Sequence, residues 1–134
     1  MDNKRLAQVL IIKPSSMGDI IHALPVAAGL KAAMPGVSID WVAAKGYEGL
    51  LSGNPAVRRV ITFDRRMFKD GGGPAKLIGF VRELRREKYD LVIDLQGLLR
   101  SALMAFSCRA GRRLGLSDAR EGAPFFYTET VRVP

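Results

Sequence analysis

The sequence predicts an α/β fold, a Rossmann-like doubly wound parallel sheet. The apolar runs Val9-Leu-Ile-Ile12 and Leu91-Val-Ile93 lack the alternation of a half-exposed strand, as expected where helices cover both faces of a parallel sheet. Segments of helical period alternate with these runs. Turn residues, among them Met34-Pro-Gly36, Gly53-Asn-Pro55 and Gly71-Gly-Gly73, mark the changeovers. With 134 residues and 48% hydrophobic content, the chain suits one domain, 1–134, around a single core.

The first strand is expected over 6–13. A helix follows at about 19–34, with Ile20, Ile21, Leu24, Ala28 and Leu30 as its core positions. Pro25 lies inside it, which leaves open both a kinked helix and a first turn that restarts at that proline. Val37, Ile39, Trp41 and Val42 make 37–43 the second strand, 47–51 is a short helix, and 57–63 is the third strand. After a loop over 64–74, Leu77, Phe80, Val81 and Leu84 give helical spacing across 75–88, with Arg82, Glu83, Arg85, Arg86, Glu87 and Lys88 as a solvated face. The most apolar strand, 89–95, belongs at the sheet centre. A helix over 98–106 presents Leu99, Ala102, Leu103 and Phe106 at i, i+3, i+4 and i+7. A short strand near 113–116 and a β-like piece over 125–133 complete the pattern. Right-handed crossovers give the strand order 3-2-1-4-5.

Lys plus Arg number 21 against 13 Asp plus Glu, a surplus of 8 that favours anionic partners such as nucleic acid, phosphorylated sugars or an anionic membrane face. The sequence has no apolar run near the ~20 residues of a membrane span, and its start does not read as an export signal, so a cytoplasmic location is expected. Cys108 is the only cysteine, which excludes an internal disulfide and a cysteine-based metal cluster.

The most informative segment is Lys13-Pro-Ser-Ser-Met-Gly-Asp-Ile-Ile-His22, a small-residue loop that runs from a buried strand into a helix. In an open parallel sheet such a loop borders the ligand crevice. Gly18 stands alone, without the G-x-G-x-x-G spacing of a dinucleotide turn or the Gly-Lys-Ser/Thr ending of a P-loop, and no cofactor is expected. Ser15 and Ser16 offer hydroxyls, and the helix start offers backbone N–H groups, to a sugar or phosphate. Ser16 or Asp19 could equally serve only to cap the helix. Asp19 and His22, three residues apart, share a helical face. Near a helix N-terminus Asp19 stays ionised, a weak base suited to accepting a proton late, when a hydroxyl is already bonding to an electrophile.

Several motifs in order carry a resemblance: Ser15-Ser-Met-Gly-Asp-Ile-Ile-His-Ala-Leu-Pro25, Asp40-Trp-Val42, Asn54-Pro-Ala-Val57 with Arg59-Val-Ile61, Tyr89-Asp-Leu-Val-Ile-Asp-Leu-Gln-Gly-Leu-Leu-Arg-Ser101, and Ala119-Arg-Glu121 with Phe126-Tyr127. Together they resemble the N-terminal half of the bacterial lipopolysaccharide heptosyltransferases of glycosyltransferase family 9. The resemblance implies the acceptor-binding domain of a two-domain GT-B enzyme, with the C-terminal, nucleotide-sugar-binding domain absent from this chain and the isolated domain inactive. It implies transfer of heptose from ADP-heptose to a Kdo sugar of the lipid A inner core, with inversion. By the same resemblance Asp19 is the general base. Ser15, Ser16, Met17, Gly18 and His22 border the reacting sugars, Gln96 bonds a sugar hydroxyl, and Arg65, Lys69 and Arg120 clamp the anionic acceptor. A lipid-linked acceptor further implies peripheral association with the cytoplasmic face of the inner membrane and no nucleic-acid partner. Met67 and Phe68 depart from the family pattern, which has a tryptophan and a further basic residue there.

Two other classes are weighed against this one. An RNA-binding α/β domain would carry more aromatics or a recognition motif than are present. A flavodoxin-like domain would need a phosphate-binding first loop or an acidic pocket, for which Ser15, Ser16, Asp90 and Asp94 are the only candidates.

Overall fold

The computed structural model describes residues 6–64, 73–116 and 122–131. In chain order it contains β1 (Gln8–Ile12), α1 (Met17–Ala33), β2 (Ser38–Ala44), a 3-10 turn (Glu48–Leu50), β3 (Arg59–Phe63) and α2 (Gly73–Leu84). β4 (Lys88–Asp94), α3 (Leu99–Ser107), β5 (Arg109–Leu116), a second 3-10 turn (Ala123–Phe126) and β6 (Glu129–Val131) follow. The strands form one parallel sheet in the order β3-β2-β1-β4-β5-β6, the expected order extended by an edge strand.

Strand alternation divides the core in two. Val9, Ile11, Ile39, Trp41, Leu91 and Ile93 face α1, where Ile20, Ala23 and Ala27 meet them. Leu10, Ile12, Val42 and Val92 face the other way, onto Phe80 and Leu84 of α2 and Met104, Ala105 and Cys108 of α3. Helices therefore cover both faces of the sheet, which is why β1 carries no polar residue between Val9 and Ile12.

The helices depart from expectation in which stripe turns inward. In α1, Ile20 is buried as expected, Leu24 and Leu30 are half-buried, and Ile21 and Ala28 face outward while Ala23 and Ala27 take the sheet side. Small residues there let the helix lie close to the strands. α1 runs unbroken through Pro25, whose side chain is exposed. In α3, Ser101, Ala102, Met104 and Ala105 are buried, whereas Leu99, Leu103 and Phe106 are exposed at 38%, 43% and 59%. Of the expected stripe Ala102 turns inward, and its three larger members mark the outer face.

Boundaries shift for tertiary reasons. α2 ends at Leu84 rather than near 88, because Lys88 already pairs with Arg109 in the sheet. β5 is longer than its 113–116 core, its charged residues having hidden it. The 125–133 piece is a strand only at Glu129–Val131 within the described residues, with a 3-10 turn before it. No helix among the described residues is long and apolar enough to cross a membrane.

Candidate functional site

The loop after β1 is fastened before it becomes a site. Lys13 N donates to Val42 O at 3.3 Å and Ala44 N donates to Pro14 O at 2.8 Å, so both residues still run beside β2. The Trp41 indole N–H donates to Lys13 O at 3.1 Å. The chain leaves the sheet at Ser15 and enters α1 through Ser16, an N-cap in extended conformation (φ −92°, ψ −173°).

Asp19, on the first turn of α1, reaches back to that cap. Its Oδ2 accepts from Ser16 Oγ at 3.1 Å and more weakly from Ser16 N at 3.4 Å. The side chain is on the surface. The Ser16 backbone N–H, the Ser16 hydroxyl and the Lys13 cation hold its carboxyl below the usual carboxylate value, with a further small contribution from His22. Oδ1 takes no hydrogen bond from a described residue. The cap bonds thus occupy Oδ2 alone, so capping by itself does not engage the second oxygen of the carboxylate. Met17, Gly18 and His22 are exposed on the same first turns of α1.

Beside this loop lies the gap between β1 and β4, where the strand order reverses and an open α/β sheet offers its crevice. Leu95 N donates to Ile12 O at 3.0 Å and ties the two strand ends together. A cavity of about 230 Å³ opens there, bordered by Pro14, Ser15, Phe63, Gln96, Arg100 and Ser101. The Arg100 guanidinium lies 5.8 Å from the centre of the Phe63 ring. Gln96 is half-buried, and its Oε1 is buried without a hydrogen-bond partner among the described residues.

Sequence reasoning missed what holds this wall. Asp94, the last residue of β4, is fully buried and surrounded by donors. Its Oδ1 accepts from Gln96 N at 2.9 Å and Gly97 N at 3.2 Å. Its Oδ2 accepts from Ser101 Oγ at 2.9 Å and from the Tyr127 hydroxyl. Burial, reinforced by the bond to Asp94, raises the Tyr127 phenol above its ordinary value and keeps it a donor. The available signal was an acid at the carboxyl end of the central strand, followed by Gly97 and Ser101. Asp90 sits at the opposite end of β4 and accepts from Ala7 N at 2.8 Å and Gln8 N at 2.9 Å, so the two acids form no common pocket.

Ser15 and Gln96 thus meet at one cavity, and Asp19 stands on the helix that leaves the same loop. Arg65, Lys69 and Arg120, the expected acceptor clamps, lie outside the described residues.

The sequence profile of glycosyltransferase family 9 (heptosyltransferase) matches residues 77–134. Lipopolysaccharide heptosyltransferase 1 of Escherichia coli K12 is 38% identical over 127 residues, covering 90% of this chain and 40% of the relative. The enzyme of the same name from Pseudomonas aeruginosa is 40% identical over 99 residues, 71% of this chain and 28% of that protein. The chain therefore spans about 40% of the length of the E. coli relative. Among solved structures, E. coli heptosyltransferase WaaC with ADP-2-deoxy-2-fluoro heptose superposes with a TM-score of 0.87 at 36% identity, over 95% of this chain and 42% of that one. E. coli ADP-heptose lps heptosyltransferase II, at 24% identity and a TM-score of 0.76 over 95% of this chain and 35% of that one, shares the fold. With the family profile matching residues 77–134, 38% identity to the E. coli relative across 90% of the chain and a TM-score of 0.87 to a solved heptosyltransferase, the chain belongs to glycosyltransferase family 9 (heptosyltransferase).

Proposed function

We propose that this chain is the acceptor-binding half of an inverting heptosyltransferase that takes heptose from ADP-heptose and adds it to a Kdo sugar of the lipid A inner core. The observation that carries the reading is the Asp19 carboxylate, kept ionised and exposed on the first turn of the helix that leaves the crevice loop, with Oδ2 held by Ser16 and no described residue bonded to Oδ1. The donor belongs mainly to a C-terminal domain beyond this chain, and turnover needs both halves.

In the proposed step the acceptor hydroxyl oxygen bonds to the heptose anomeric carbon as the bond from that carbon to the ADP phosphate breaks. Inversion follows from attack opposite the leaving ADP. Asp19 Oδ1 takes the hydroxyl proton late, since a carboxylate of low basicity becomes an effective acceptor only once the oxygen has begun to lose electron density. The bond to Ser16 fixes the carboxylate plane and reduces the freedom lost on reaching the reactive geometry.

Ser15, Met17, Gly18 and His22 border the reacting sugars in this reading. Gln96 offers an amide to a sugar hydroxyl, and Arg65, Lys69 and Arg120 bind the acceptor carboxylates and phosphates. The last three rest on the family resemblance. A lipid-linked acceptor places the enzyme on the cytoplasmic face of the inner membrane, held peripherally, and the net charge of +8 suits such a surface. The test is heptose transfer by the complete two-domain protein carrying Asp19→Asn, alongside acceptor binding by the same variant. Lost transfer with retained binding supports the assignment; transfer near wild type removes Asp19 from the role of base.

A further inference from the structure

We infer that Asp94 is a positioning residue for acceptor recognition: with Tyr127 as its lock, it sets the β4–α3 loop so that Gln96 forms the wall of the crevice. The inference rests on the acceptor-binding reading of that crevice.

Asp94 has no route to a ligand, because it is fully buried and its oxygens are occupied by four donors. Two of those donors are the backbone N–H groups of Gln96 and Gly97, consecutive residues in the turn that leaves the sheet. Gly97 has a positive φ of 71°, so the turn holds a backbone that most residues avoid, and the carboxylate supplies the fixed acceptor around which it folds. A third donor, Ser101 Oγ, lies on the first turn of α3 and also accepts from Leu98 N at 3.1 Å, which joins the turn to the helix start.

The fourth donor comes from far along the chain. The Tyr127 ring lies against the backbone of Gly115 in β5, where an added Cβ would fall 2.1 Å from Tyr127 Cε2. No side chain other than hydrogen fits at 115 with the ring in place, so Gly115 opens the slot through which the phenol reaches Asp94. The segment before β6 and the crevice turn are thus joined through one buried carboxylate. What the turn presents is Gln96, whose amide oxygen is buried with no hydrogen-bond partner among the described residues and whose side chain borders the cavity. A carboxamide with an unmatched end confers selectivity only if its backbone is held still.

Tyr127→Phe tests this, since it removes one hydroxyl and keeps the ring. Amide hydrogen exchange by NMR on the chain should quicken at Gln96 and Gly97 relative to the β1 amides. Affinity for Kdo-lipid A in detergent micelles, measured well below the melting temperature, should fall roughly 5- to 30-fold. Gly115→Ala, which displaces the ring from outside the crevice, should reproduce both effects. Asp94→Asn should exceed them where it folds. A lower melting temperature with unchanged exchange at Gln96 and Gly97 would reduce Asp94 to a stability role and overturn the inference, as would quickened exchange with unchanged affinity. Failure of the wild-type chain to bind Kdo-lipid A would sink the acceptor reading instead. In that case the exchange rates alone decide whether Asp94 fixes the turn.

Discussion

The two ends of the sheet handle buried acid in opposite ways. At the amino end, Asp40 of β2 is closed in by cations: Arg58 donates to it through Nε at 3.0 Å and Nη2 at 2.8 Å, and the Tyr89 hydroxyl donates at 2.6 Å. Arg59 stands 3.6 Å away and pairs in turn with Glu83 at 2.7 Å. At the carboxyl end, the described hydrogen-bond partners of Asp94 include no cation, only backbone N–H groups and hydroxyls, and Asp19 on α1 is exposed. Side-chain cations and a phenol enclose the first carboxylate. Backbone and hydroxyl donors around the second hold the turn that borders a cavity.

The largest expected effect breaks this contrast chemically. In the complete protein, Asp19→Asn should lower the transfer rate by roughly 10²- to 10⁴-fold, the usual worth of a general base, with the melting temperature of the chain nearly unchanged because the amide can still accept from Ser16. Radiolabelled or mass-detected heptose transfer reads the first quantity and a thermal melt reads the second. Asp40→Ala should do the reverse. It strips the acceptor from Arg58 and from the buried Tyr89 hydroxyl, and should destabilise the fold by about 3 kcal/mol in a denaturant titration. Arg58 is partly exposed and can recover some solvation, so the loss should fall toward the lower part of the range for a broken buried pair. Binding of Kdo-lipid A at low temperature should survive.

How far the sequence reveals this contrast depends on the distance over which each feature is decided. Runs such as Val9 to Ile12 and Leu91 to Ile93 fix their own strands, and the order of βα units fixes the sheet. The cap at Ser16 and Asp19 is likewise written within four residues. Asp94 differs because its meaning is supplied by Tyr127, 33 positions later, and by the open side of Gly115. The buried stripe of α3 fails for a related reason. Periodicity sets the spacing of Leu99, Leu103 and Phe106, but close approach to the sheet favours Ala102 and Ala105, and a stripe of larger apolar residues is left outside. Arg113 closes the end of α3 from β5 with bonds to Ala105 O and Cys108 O, each at 2.8 Å. Arg113→Ala should therefore destabilise by about 1–2 kcal/mol, the worth of a lost set of helix-end bonds, measured by the same titration.

The last effect, absent at neutral pH, concerns groups that must stay protonated. Burial pushes the Cys108 thiol up to about 12, with Arg113 and Arg85 opposing it. Burial and the bond to Asp40 raise the Tyr89 phenol as well. A thiol raised in the folded state keeps its proton where the unfolded chain has lost it, so the unfolded state binds fewer protons and stability falls as pH rises. The window opens near the ordinary thiol value of 9.0 and closes near 12. Within it each such group contributes a slope of up to about 1.4 kcal/mol per pH unit. Melting temperatures should be flat from pH 7 to 8.5 and then decline, and Cys108→Ala should flatten the decline. A neutral, buried thiol should also resist alkylation by iodoacetamide at pH 8 until denaturant is added. Rapid labelling of the native chain would mean that the α3–β5 corner opens on its own.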